Sequence, residues 1–97
     1  MTVGLLTLEL FLSEAHSLKD KRMYLRRAKE RVRARHNAAV AEVEFQDTWQ
    51  RSRLAVVSVG SDRTVVEKTL EAVRRELEDQ VLAGLVVRSA TDLLDVD

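Results

Sequence analysis

Ninety-seven residues, 45% hydrophobic and 33% charged, suit one folded domain with a single core spanning residues 1–97. Sixteen Lys and Arg balance sixteen Asp and Glu, so any strongly charged surface must come from uneven placement rather than from net charge. The absence of cysteine excludes disulfides, iron–sulfur clusters and thiolate zinc sites, and no apolar run approaches the roughly 20 residues of a membrane span.

The N-terminus enters an apolar run with no basic residues before it and no small-residue cleavage pattern after it, so no signal peptide is expected and the cytoplasm is the expected compartment. High charge with a single Asn leans towards a heat-adapted source. The first segment, Val3–Leu12, predicts a strand. Leu6, Leu8, Leu10 and Leu12 form an all-apolar face, while Val3, Leu5, Thr7, Glu9 and Phe11 form a mixed one. Ser13–His16 is a short connection.

Ser17–His36, SLKDKRMYLRRAKERVRARH, predicts one amphipathic helix. Leu18, Leu25, Ala28 and Val32 share a stripe, and Ser17 with Asp20 has the spacing of a capping box. His36-Asn37 predicts a stop in which Asn takes the left-handed conformation. The stretch holds nine basic residues and two acids, nine minus two being a surplus of seven positive charges on a neutral chain. Lys21 lies near the apolar stripe, from which its ammonium is expected to snorkel to the surface; Tyr24 is expected at the core edge.

Ala38–Glu44 and Ser52–Gly60 predict two further strands, the first placing Ala39, Ala41 and Val43 opposite Glu42 and Glu44, the second rich in β-branched residues. Between them Phe45–Arg51, FQDTWQR, is too long for a two-residue hairpin and carries the only Trp. Trp49 is expected to anchor this loop, and Asp47 to cap a local turn or pair with Arg51. Ser61-Asp62 predicts the cap of a second helix with Val66, Leu70, Val73 and Leu77 on its buried stripe. Gly84 separates that helix from a final strand, about Leu85–Val96.

The order β-α-β-β-α-β predicts an α+β, ferredoxin-like fold: a four-stranded antiparallel sheet with both helices on one face. That topology brings Ser17–Arg22 and Phe45–Arg51 to one end of the molecule, with Lys21 or Arg22 near the loop and Asp47 as their expected acidic partner. SLKDKR at Ser17–Arg22, FQDTWQR at Phe45–Arg51, AEV at Ala41–Val43 and SDR at Ser61–Arg63 resemble the YlxP-like family of small bacterial proteins of unassigned function. The resemblance covers nearly the whole chain. It implies a ferredoxin-like fold and genes often found beside translation-factor and ribosome-maturation genes, and it brings no catalytic residues.

The composition argues against several activities of this topology. An acylphosphatase needs a Gly-rich phosphate cradle with an Arg after the first strand, and Ser13–His16 has neither. His16 and His36 lie at opposite ends of one helix, about 30 Å apart at 1.5 Å per residue, which is no metal site. The central strands lack the aromatic pair on which RNA-recognition domains stack bases, and G-x-x-G is missing. A non-enzymatic protein without cofactor or metal is therefore expected.

A basic helix that could run along phosphates remains. Lys19, Lys21, Arg22, Arg26, Arg27 and Arg31 are its candidate contacts, beside the loop residues Gln46, Asp47, Trp49, Gln50 and Arg51. The expected function is binding of structured RNA or a ribonucleoprotein, in ribosome maturation or translation. The alternative is a homo-oligomeric interaction or small-ligand sensor domain. The half-apolar sheet face predicts a homodimer through sheet faces or strand edges.

Overall fold

The computed structural model describes Met1–Asp97. Its elements are β1 (Thr2–Phe11), α1 (Leu18–Arg35), β2 (Ala39–Glu44), β3 (Arg51–Gly60), α2 (Arg63–Glu76) and β4 (Val86–Asp95). The four strands form one antiparallel sheet in the order β2-β3-β1-β4. This is the ferredoxin-like βαββαβ arrangement.

Alternation along the strands decides which face the helices cover. Leu6, Leu8 and Leu10 of β1 and Leu54 and Val56 of β3 are buried, and Leu25, Ala28 and Val32 of α1 and Val66, Leu70 and Val73 of α2 pack on them. Leu12, Leu77 and Leu82 close the core at the end where β1 runs into α1. Gly4 lies under α2, and a Cβ there would stand 2.5 Å from Leu70 Cδ1 and 2.8 Å from Val66 Cγ1. The missing side chain is what lets α2 approach β1 so closely.

Both helix starts follow the sequence. Ser17 Oγ accepts from the Asp20 N–H at 3.1 Å, and Asp20 Oδ2 reaches back to the His16 N–H at 3.0 Å. Asp62 Oδ1 accepts from the Thr64 N–H at 2.9 Å. The ends differ. The C-cap of α1 is His36 in an extended conformation, φ −133°, and the left-handed stop expected at Asn37 does not form. Instead the Asn37 amide donates to the Val59 carbonyl, and its own carbonyl accepts from Ser58 Oγ, so the chain turns straight into the sheet. The second helix widens at Leu77–Val81 into a π turn, with the Leu82 N–H on the Leu77 carbonyl at 2.7 Å, before Gly84 turns the chain at φ +78°.

The second strand faces the other way from an apolar-in pattern. Val40 is buried and Glu42 half-buried on the helix side, while Ala39, Ala41 and Val43 are exposed on the open face. An acidic side chain thus points under α1, for a reason given below.

Replacing Gly4 with Ala forces Leu70 and Val66 to move, and overpacking of this kind costs about 1–3 kcal/mol. Urea denaturation of Gly4→Ala should show a lower midpoint with an unchanged slope.

Candidate nucleic-acid interface

The two sequence motifs meet at Lys21. Its side chain is 1% exposed, and its ammonium has three acceptors for three protons: the Phe45 carbonyl at 2.5 Å, the Thr48 carbonyl at 2.7 Å and Glu42 Oε2 at 2.7 Å. Glu42 Oε2 also accepts from the buried Ser52 hydroxyl at 2.6 Å. Lys21 therefore does not snorkel. Desolvating an ammonium is costly unless every proton is met, and here a carboxylate and two loop carbonyls meet them.

The motif loop is shaped around this contact. Phe45 has φ +66°, a left-handed conformation rare for an aromatic residue, and its carbonyl also accepts from the Thr48 N–H at 3.0 Å. Arg51 stacks on the Phe45 ring, 4.0 Å from its centroid. Gln50 Nε2 donates to the Ser13 and Ala15 carbonyls at 3.3 Å, while the Gln50 carbonyl accepts from the Leu12 N–H at 2.8 Å. Lys21, Gln50 and Arg51 are thus occupied in holding the loop against the start of α1.

The expected convergence of the motifs is present, with a different acid. Glu42, not Asp47, meets Lys21, and Asp47 pairs with neither Arg51 nor Arg22. Alternation had set Glu42 beside Glu44 as a surface residue, and a buried ion pair reads in sequence as two ordinary surface charges. Gln46, Asp47, Thr48 and Trp49 remain exposed at the loop tip. Trp49 does not anchor the loop: it is 49% exposed and borders a shallow depression with Leu18, Asp47 and Thr48. The anchoring role has passed to Lys21.

The basic residues of α1 divide into two sets. Towards α2, Arg31 and Arg35 each lie 3.1 Å from Glu76 Oε1, and His36 Nε2 lies 2.7 Å from Glu76 Oε2. Burial raises the pKa of the Glu76 carboxyl, but the hydrogen bonds from His36 and Arg31 and the charge of Arg35 outweigh it and hold the group below its ordinary value. Arg31 is therefore neutralised inside the protein. Arg27, with Arg35 and the end of α2, lines the open cleft on this side.

Towards β2 the situation is reversed. Arg22, Arg26, Lys29 and Arg33 line a groove of about 380 Å³ whose acids are Glu30 and the committed Glu42. At ~100° per residue the four cations fall within about 60° of one another around α1, and at ~1.5 Å per residue they span about 16 Å. None enters an ion pair within the chain, and Lys19 at the start of α1 is likewise free. Lys29 and Arg33 stood outside the residues singled out from sequence; their spacing of seven and eleven from Arg22 is the signal that places them on its stripe. The two histidines do not come together, and no group of three or more His, Asp or Glu is arranged to hold a metal.

The fold and this end-to-end motif cluster define a ferredoxin-like α+β domain with a basic groove beside its first helix. Residues 3–89 match the family model described as "Protein of unknown function (DUF503)", and the chain belongs to that family. It is 38% identical over 71 residues to the "Uncharacterized protein YlxP" of Bacillus subtilis (strain 168), covering 73% of this chain and 77% of that one. Among solved structures it is similar to the "De novo designed protein Foldit4", at a TM-score of 0.56 and 12% identity over 99% of this chain and 98% of the other. That likeness concerns the fold alone.

Two outcomes test the geometry. Lys21→Met strands the Glu42 carboxylate and two carbonyls and should cost about 3–5 kcal/mol, read as a lower denaturation midpoint together with a changed Trp49 emission. The depressed Glu76 carboxyl contributes stability above the ordinary glutamate pKa of ~4.3 and loses it as pH falls through the folded value. Glu76→Gln should therefore be less stable than the parent at pH 7, with the difference shrinking on acidification below about pH 4.3.

Proposed function

We propose that this chain is a non-enzymatic, cytoplasmic accessory protein that binds structured RNA, holding a stretch of phosphodiester backbone in the groove between α1 and β2. One observation carries the reading: Arg22, Arg26, Lys29 and Arg33 form an unpaired stripe, while Arg31 and Arg35 on the other side are neutralised by Glu76. The ~16 Å stripe compares with a nucleic-acid strand carrying a charge about every 3.4 Å of helix axis, so each cation can meet its own phosphate.

Trp49 favours RNA with unpaired bases. It stands at the Arg22 end of the groove, since Lys21 next to Arg22 is bonded to the Thr48 carbonyl, and half its surface is open. An aromatic face beside a phosphate track suits a base splayed from a loop or bulge. The family resemblance, with its translation-factor and ribosome-maturation gene neighbours, makes a ribosomal RNA or a maturing ribosomal particle the partner of choice.

A second reading, a self-associating interaction domain, is favoured by the open sheet face. Phe11, Val57, Val59 and Leu94 are between 40% and 63% exposed there. The two readings separate by titration. Fluorescence anisotropy against a structured RNA should show binding at low salt with a log–log salt slope near −3, since each phosphate contributes about 0.7 to 0.9.

Arg22→Glu, Arg26→Glu and Arg33→Glu together should abolish that binding and leave the denaturation midpoint nearly unchanged, because exposed charges contribute little to stability. Arg27→Glu alone should have a smaller effect. Trp49→Ala should weaken binding without changing the salt slope. A parent protein with no affinity for RNA or ribosomal particles at low salt would leave the self-association reading in place.

A further inference from the structure

The two edges of the sheet are built differently. At one edge β2 has six residues, a register irregularity between Glu42 and Glu44, and α1 with its basic groove alongside. At the other, β4 runs for ten residues, its register with β1 is regular from Asp95 to Arg88, and Arg88–Asp92 are all exposed. A long regular edge strand is a template for pairing unless something blocks it.

Its free hydrogen-bonding groups can be assigned. Met1 and Val96 exchange both backbone bonds, each 2.8 Å. Antiparallel pairs alternate between bonded and non-bonded, so Leu94, Asp92, Ala90 and Arg88 turn their backbone groups towards β1, and Leu93, Thr91 and Ser89 turn theirs outward. The side chains of this edge read Val86–Leu94, VVRSATDLL. About Ala90 the sequence is a chemical palindrome: hydroxyl against hydroxyl, Arg against Asp, apolar pair against apolar pair.

We propose that β4 pairs antiparallel with β4 of a second copy about a two-fold axis through Ala90, joining two four-stranded sheets into one. Ser89 then exchanges backbone bonds with the partner's Thr91, and Val87 lies beside the partner's Leu93, where the irregularity at Val86–Val87 ends the regular pairing. Arg88 faces the partner's Asp92 in a non-bonded position, where opposite side chains approach most closely. Neither Arg88 nor Asp92 has an ion-pair partner within its own chain, and both lie on the open face with Ala90 between them.

Charge also rejects other registers. Slips that set Arg88 against the partner's Arg88, or Asp92 against the partner's Asp92, oppose like charges, and intermediate slips leave both unpaired. The seam covers part of Val87, which is 64% exposed in the single chain. It is independent of the phosphate groove, which lies at the opposite edge.

Sedimentation velocity from micromolar to several hundred micromolar protein, without RNA, tests the seam. The parent should approach 22 kDa, twice the 11.0 kDa chain mass. Thr91→Pro removes an outward N–H that β1 does not use and should give an 11.0 kDa species with unchanged circular dichroism. Arg88→Asp and Asp92→Arg should each raise the dimer dissociation constant at least tenfold, and the two combined should restore it. The charge series decides alone if the proline variant unfolds. A parent that stays monomeric throughout overturns the proposal, as does a dimer indifferent to these changes or one the double exchange fails to rescue; in the monomeric case a peptide strand from another protein becomes the occupant of this edge.

Discussion

A primary ammonium with no access to water organises one whole end of this protein. Lys21 comes from the first turn of α1, yet its partners come from β2 and the loop that follows it. Its dehydration is tolerable only when all three protons are met at once, so helix, strand and loop must arrive together. Several odd features follow from that requirement. An acidic residue occupies the helix side of β2, a buried serine backs it, and Phe45 is held in a left-handed conformation that presents its carbonyl inward.

The ion pairs show how a chain of zero net charge acquires a charged surface. Acids are placed where they neutralise particular bases. Glu76 gathers Arg31, Arg35 and His36; Glu42 serves Lys21; on α2, Glu71 accepts from Arg74 and Arg75, and chiefly the Arg74 hydrogen bonds lower its pKa to about 2. The β2 side of α1 receives no such acid beyond Glu30. Unpaired positive charge is therefore concentrated in one groove, with Lys19 and Arg27 the remaining unpaired cations of the helix.

The architecture also separates two surfaces that would otherwise interfere. The basic groove follows β2, at one edge of the sheet, whereas β4 at the other edge carries balanced charge and free backbone groups. Partners at the two edges would not compete for space, and the open sheet face with Val57 and Val59 lies between them.

The sequence by itself determined the element order, the buried stripes and the helix starts, because these depend on local periodicity and on side chains within three residues of a cap. It also brought the two motifs to one end, since strand direction follows from topology alone. Only the tertiary structure decided which charges are free. Lys21 and Arg31 look in sequence like Arg22 and Arg26, and what separates them is a partner distant along the chain. Trp49 misled in the opposite sense: a large apolar side chain argues for burial, but the space beneath its loop had already gone to the lysine and its acceptors. Pairing between elements, unlike the i,i+3 and i,i+4 pairs along α2, is recorded by no periodicity within one element.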